Sequence, residues 1–107
     1  MKNLRILVVD DESIIRDTLR EVLELEGAKV DEADNGNTAF NLIQKKTFDL
    51  IISDVRMPVC SGTDLLKKLR AYDKKAPEII LISGFTDLTN EKAMELGASG
   101  FIMKPKL

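Results

Sequence analysis

Apolar residues along this chain follow two rhythms. Unbroken runs at Ile6–Val9, Leu50–Ile52, Ile79–Ile82 and Phe101–Met103 alternate with longer stretches in which apolar positions recur every three or four residues. A short apolar run without alternation predicts a strand covered on both faces. The longer rhythm predicts an amphipathic helix. The first run is followed by a helix that Ser13 can cap, with Ile15, Leu19, Val22 and Leu23 at helical spacing and Gly27 at its end. From Ala28 to Ala33, charged residues interrupt small apolar ones, the mark of a strand at a sheet edge. Asn35-Gly36-Asn37 is a turn that starts a second helix through Ala39, Leu42 and Ile43. A central strand is predicted over Phe48–Ser53, a loop over Met57–Gly62 and a helix through Leu65, Leu66 and Leu69. Pro77 precedes the fourth strand, a short helix runs from about Asp87 to Leu96, and Gly100 opens the fifth strand. Strands that alternate with helices in this way predict βα units and a parallel sheet. The expected fold is a doubly wound α/β domain with five strands, one domain over residues 1–107.

The ends of the strands carry the chemistry. The first runs into Asp10 and Asp11, the third into Asp54, the fourth into Ser83 and the fifth into Lys104. In a parallel sheet these ends share one edge, where ligands of open α/β sheets bind. Three carboxylates gathered there repel one another and call for a hard cation such as magnesium, which takes oxygen ligands. A hydroxyl and an ammonium beside that cation suit an anionic oxygen group. A carboxylate is ionised without help from a base, so Asp54 can accept a phosphoryl group. Each residue also has an ordinary role. Asp10, Asp11 and Glu12 suit a helix N-terminus, Asp54 can open a loop, Ser83 before Gly84 can form a turn, and Lys104 can be solvated.

Composition narrows the choice. The net charge is −2, so a domain whose main task is gripping nucleic acid is not expected. The chain has no histidine, which removes histidine triads, imidazole metal sites and the usual neutral-pH base. The single cysteine, Cys60, has no internal disulfide partner, and a reducing setting fits it. Met1–Arg5 leaves no room for a signal peptide, and no apolar stretch approaches the ~20 residues of a membrane span. A cytoplasmic location is the expectation.

The segments Ile6–Glu12, Asp34-Asn35-Gly36, Asp49–Pro58, Ile80–Gly84 and Gly97–Pro105 together resemble the receiver (CheY-like) domain of two-component response regulators, over nearly the whole chain. That resemblance implies the flavodoxin-like strand order 2-1-3-4-5. It implies that Asp54 takes a phosphoryl group from a phosphohistidine on a histidine kinase or phosphotransfer protein. By the same resemblance, Asp10, Asp11, Asp54 and the backbone carbonyl of Arg56 hold Mg2+. Ser83 and Lys104 bind phosphoryl oxygens, and Ser83 with Phe101 forms a conformational switch. Phe101 also reads as a half-buried aromatic of the last strand. Family members continue into another helix after Lys-Pro, whereas here only Lys106 and Leu107 follow. A C-terminally shortened domain is therefore expected, with apolar residues of the later strands facing water. Low stability, self-association (a homodimer among its forms) or segment exchange between copies is the expected consequence. Sedimentation across a concentration series with a thermal melt checks it, and a monomer of high thermal stability at every concentration would contradict it.

Two other functions compete. A phosphatase or phosphotransferase with an aspartyl intermediate needs a general acid near the nucleophile, yet no Asp-x-Asp pair surrounds Asp54. A docking module that is never phosphorylated has no need of all these acidic and lysine positions, which the chain retains. A nucleotide-binding domain needs a glycine-rich loop after the first strand, where this chain has Asp10-Asp11-Glu12. The expectation is a signalling domain that promotes only its own phosphorylation and dephosphorylation, not an enzyme with an outside substrate.

Overall fold

The computed structural model describes residues 3–57, 59–73, 77–83 and 90–103. The elements in order are β1 (Arg5–Val9), α1 (Ser13–Leu25), β2 (Lys29–Ala33), α2 (Gly36–Lys45), β3 (Leu50–Asp54), α3 (Gly62–Tyr72), β4 (Glu78–Ser83), α4 (Asn90–Glu95) and β5 (Gly100–Met103). The five strands form one sheet in the order β2-β1-β3-β4-β5, and each neighbouring pair is parallel. β2 lies at an edge, as its charged pattern predicts. The chain winds outward to β2 and then crosses back past β1 to β3. The order therefore reverses between β1 and β3, where the loops on the two sides part and leave a crevice.

Alternation along the strands sorts the core into two layers. Leu7, Val9, Ile51, Ile79 and Leu81 join Ala39 and Ile43 of α2, Leu65, Leu66 and Leu69 of α3, and Ala93 of α4. Ile6, Val8 and Val30 join Leu23 of α1, with Leu19, Leu50 and Ile52 packed against them. On α1 the stripe that meets the sheet is narrower than its apolar spacing predicts. Leu23 is buried and Leu19 packs on the core, but Val22 points to solvent. One residue along a helix turns the side chain by about 100°, enough to carry Val22 off the stripe that Leu19 and Leu23 define.

The α1 face of the sheet is covered unevenly. Ile80 pairs with Ile52, and Ile82 with Ile102, so these residues share that face. Ile80 and Ile82 are only half-buried, and Ile102 is exposed. Cover on this face thus thins from β3 towards β5 among the described residues.

Helix starts differ in one place from the pattern. Asn35 caps α2 by accepting the Thr38 amide at 2.9 Å, and Ser61 and Asp64 form a reciprocal capping box on α3. At α1 the cap position falls on Glu12, with Ser13 already helical, so Ser13 is not the cap. The Glu12 side chain makes no capping bond there. The predicted central strand also shifts. It begins at Leu50, not Phe48, and runs through Asp54 as its last residue. Within the predicted short helix, residues 87–89 lie outside the described residues, and α4 is seen from Asn90 to Glu95.

Among the described residues two non-glycines, Asn3 and Val59, have positive φ, and asparagine tolerates that conformation whereas valine does not. Val59 sits at φ 71°, a left-handed conformation that a β-branched side chain disfavours, and it is 86% exposed. Packing gives nothing back at such exposure. Val59→Gly is expected to stabilise the protein by about 1 kcal/mol, relief of strain exceeding glycine's extra chain entropy. A urea midpoint unchanged or lowered in the variant would contradict this.

Candidate functional site

The crevice is assembled by strand register. Val9 pairs with Ser53, so Asp10 and Asp54 follow from paired positions on adjacent strands. Asp54 in turn pairs with Ile82, and Ser83 comes next. Ser83 pairs with Met103, the residue before Lys104. Neighbouring strands lie about 4.8 Å apart, so three of the candidate side chains start from nearby points on one sheet edge. All three are buried: Asp10 is 3% exposed, Asp54 6% and Ser83 2%. Burying two carboxylates and a hydroxyl at the end of an apolar strand layer is costly unless they are bonded or used.

Asp10 is held from several directions. Its amide donates to the Ala33 carbonyl at 3.1 Å, and its Oδ1 accepts the Glu12 amide at 2.9 Å. Its own carbonyl accepts Arg16 Nη1 at 2.7 Å. Asp11 and Glu12 are exposed beside it. Carboxylate oxygens of Asp10, Asp11 and Glu12 all lie within 4.8 Å of one another, close enough to share one ion. The donor set is oxygen alone, which fits magnesium and excludes softer metals that seek sulfur or imidazole. Glu12 belongs to this cluster although the sequence suggests only a helix-terminus role for it. Its place directly after two aspartates was the available signal.

Asp54 is fixed through its backbone. The Ser53 hydroxyl, fully buried, donates to the Asp54 carbonyl at 3.0 Å. The Val55 amide donates to the Ile82 carbonyl at 2.9 Å, and the Gly62 amide to the Val55 carbonyl at 2.9 Å. Gly62, the first residue of α3, lies so close that a Cβ there would fall inside the Asp54 carbonyl. Gly62 therefore positions the Asp54 backbone, a role the sequence does not reveal, since a glycine before a helix reads as a loop end. Arg56 follows in the loop and is exposed.

Phe101 is half-buried, pairs with Leu81 across the strands and packs against the α2–α3 layer. Lys104 lies outside the described residues, as do Gly84 and Pro58. Cys60, which looks incidental in sequence, is buried against Gly36, and its carbonyl accepts the Gly36 amide at 3.1 Å. Burial pushes the Cys60 thiol above its ordinary value, which keeps it a neutral and poorly nucleophilic group. Among the described residues no helix is long and apolar enough to cross a membrane.

Comparison with known proteins agrees with this geometry. Residues 6–106 match the family described as the response regulator receiver domain. A probable transcriptional regulatory protein of Picosynechococcus is 37% identical over 108 residues, covering 94% of this chain and 43% of that protein. This chain thus spans less than half the length of that relative. The chemotaxis protein CheY of Halobacterium salinarum is 35% identical over 101 residues, covering 94% of this chain and 84% of that protein. Among solved structures, the response regulator TrrA of Thermotoga maritima in complex with Mg2+ and BeF superposes with a TM-score of 0.86 at 36% identity, covering 98% of this chain and 88% of that one. With its five-stranded order, its crevice of buried acids and a family match over nearly all its length, the chain belongs to the response regulator receiver domains, the CheY-like domains of two-component systems.

Proposed function

We propose that this domain is a phosphoacceptor switch in which Asp54 receives a phosphoryl group from a phosphohistidine on a histidine kinase or phosphotransfer protein. A carboxylate oxygen of Asp54 attacks phosphorus in line as the P–N bond to the donor imidazole breaks. Asp10, Asp11, Asp54 and the Arg56 carbonyl would hold Mg2+, with Glu12 close by. When bound, magnesium would neutralise charge on the phosphoryl oxygens. The crevice fixes the acceptor through the backbone bonds around Asp54, so little rearrangement is needed before attack. Ser83 supplies a hydroxyl one residue past the Asp54–Ile82 pair, and Lys104 an ammonium after Met103, both for phosphoryl oxygens. A shift of the Ser83 hydroxyl towards the new phosphoryl group, with Phe101 turning inward, would move the population between two conformations and set the output.

The observation that carries this reading is the placing of two buried carboxylates and a buried hydroxyl at the ends of β1, β3 and β4, side by side in register. The Mg2+ in the complex of the similar Thermotoga protein supports this reading, since a divalent cation matches an acidic crevice in charge. In this reading the domain works in the cytoplasm beside its kinase and acts on no outside substrate. It contacts neither nucleic acid nor membrane directly, and a homodimer is one form in which it signals.

The test is mass spectrometry of the intact chain after incubation with acetyl phosphate. The native chain is expected to gain the mass of one phosphoryl group with Mg2+ present and not without it, and Asp54→Asn is expected to gain none. A gain that survives Asp54→Asn, or no gain in the native chain, would overturn the assignment.

A further inference from the structure

We infer that Arg16 is a positioning residue for the acidic turn between β1 and α1, and that Glu32 is the counterion that fits it for that task. This inference rests on the proposed role of Asp10 and Asp11 in holding a divalent cation. Among the bonds seen between described residues, three tie the turn that carries Asp10, Asp11 and Glu12 down at Asp10. Two come from main-chain groups, the Ala33 carbonyl and the Glu12 amide. The third is the only one of the three made by a side chain outside the acidic group: Arg16 Nη1 on the Asp10 carbonyl at 2.7 Å. That bond is charge-assisted and short, the stronger kind. Arg16 sits one helical turn beyond Glu12, and its own amide donates to the Glu12 carbonyl at 3.1 Å. Its side chain therefore reaches back over the turn that its backbone continues.

Glu32 makes this arrangement specific. Its Oε1 lies 3.3 Å from Arg16 Nε, and its Oε2 accepts Arg20 Nη1 at 2.9 Å. The side chains of Arg16 and Glu32 are only 19% and 20% exposed, so the pair is held in a partly dry groove between α1 and β2. Glu32 precedes Ala33, so β2 anchors Asp10 twice, once through a main-chain carbonyl and once through Arg16. Charge alone would set Arg16 against any cation bound by Asp10 and Asp11, because like charges repel. Glu32 offsets that charge while leaving Nη1 directed at the carbonyl. The guanidinium fork is what allows both contacts at once. A lysine carries the same charge as a single point and cannot span them.

The experiment uses Mn2+ as the probe. Electron paramagnetic resonance of free Mn2+ measures its dissociation constant for the whole chain, and acetyl phosphate kinetics measure the rate at saturating Mn2+. Arg16→Lys keeps the charge and loses the fork. It is expected to weaken Mn2+ binding about 10-fold, the lower end of what outer partners of metal ligands contribute, with the saturating rate unchanged. Glu32→Gln leaves the Arg16 charge uncompensated and is expected to weaken Mn2+ binding as well, more at low salt than at high salt. Native affinity in Arg16→Lys would overturn the positioning role. So would a lowered saturating rate with unchanged affinity, the pattern of general structural damage. Native or tighter binding in Glu32→Gln would overturn the counterion role. Asp10→Asn separates the layers: if the native chain binds no Mn2+, or Asp10→Asn binds it as well as the native chain, the cation-site reading itself fails and this inference fails with it.

Discussion

Gly62→Ala is expected to destabilise the domain by about 3 kcal/mol or more, and Gly62→Val to leave it unfolded at room temperature. The reason lies in what the new atom meets. At Gly62 the nearest neighbours are the Asp54 carbonyl oxygen and carbon, and then the Ser53 hydroxyl. The first two are main-chain atoms of a central strand with partners on both sides, and the Ser53 hydroxyl is fully buried and bonded to the Asp54 carbonyl, so none can move aside as an exposed side chain would. The Gly62 amide also donates to the Val55 carbonyl, which pins α3 to the strand end and closes off retreat in the other direction. Any accommodation must shift Asp54, so folded Gly62→Ala is expected to accept phosphoryl groups poorly. Gly36→Ala is the informative contrast. A Cβ there first meets the Cys60 sulfur, a side-chain atom, although the Cys60 carbonyl is also near. Its cost is expected to be smaller and to fall further in a Cys60→Ala background, because the two positions are in contact and their effects do not add. Urea unfolding of these variants, with Cys60→Ala alone as the reference for the double variant, checks both statements. A Gly62→Ala chain within 1 kcal/mol of native would contradict the first.

Much of this fold is legible because its inner strands run through apolar residues without a break. Ile6–Val9 and Ile79–Ile82 have no polar residue to blur their limits, and the structure places strands there. The charged residues of Lys29–Ala33 announce an edge, and Arg16, Arg20 and Lys46 are seen pairing with Glu32 and Asp31 of that strand. The gathering of Asp10, Asp54 and Ser83 was legible for a related reason: a polar side chain that interrupts an apolar run at the same end of successive strands comes to one end of the sheet. What sequence could not show depends on contacts between distant segments. Glu12, rather than Ser13, takes the cap position because the turn after Asp10 is set by bonds to Ala33 and Arg16, not by local capping preference. Val22 leaves the core because the partner surface of α1 is narrow. The close approach of Gly62 to Asp54 and the burial of Cys60 beside Gly36 exist only once α3 and α2 have docked. A glycine or cysteine carries no mark of such a neighbour in its own stretch of chain.

Magnesium is expected to raise the thermal midpoint of the native chain strongly, and Asp10→Asn to remove most of that rise. A ligand that binds only the folded state stabilises it by RT ln(1 + [L]/Kd), about 2.7 kcal/mol at a hundred times Kd. For a domain of this size that corresponds to a midpoint shift of roughly 10 °C or more. Asp10→Asn is a suitable variant because an asparagine oxygen can still accept the Glu12 amide, so the turn keeps its local bond while the charge is lost. Without the cation the same substitution acts in the other direction. Asp10, Asp11 and Glu12 stand with oxygens within 4.8 Å of one another, and each like-charged pair at such a distance opposes folding by about 1 kcal/mol in water-like surroundings. Asp10→Asn is thus expected to be as stable as the native chain, or more stable, in chelator, and less stable than it in excess Mg2+. That crossing of the two melting curves sets an ion site apart from a cluster that merely tolerates its own repulsion. Equal magnesium shifts in both chains would mean that the ion binds elsewhere, and a native chain indifferent to magnesium would remove the cation from the mechanism.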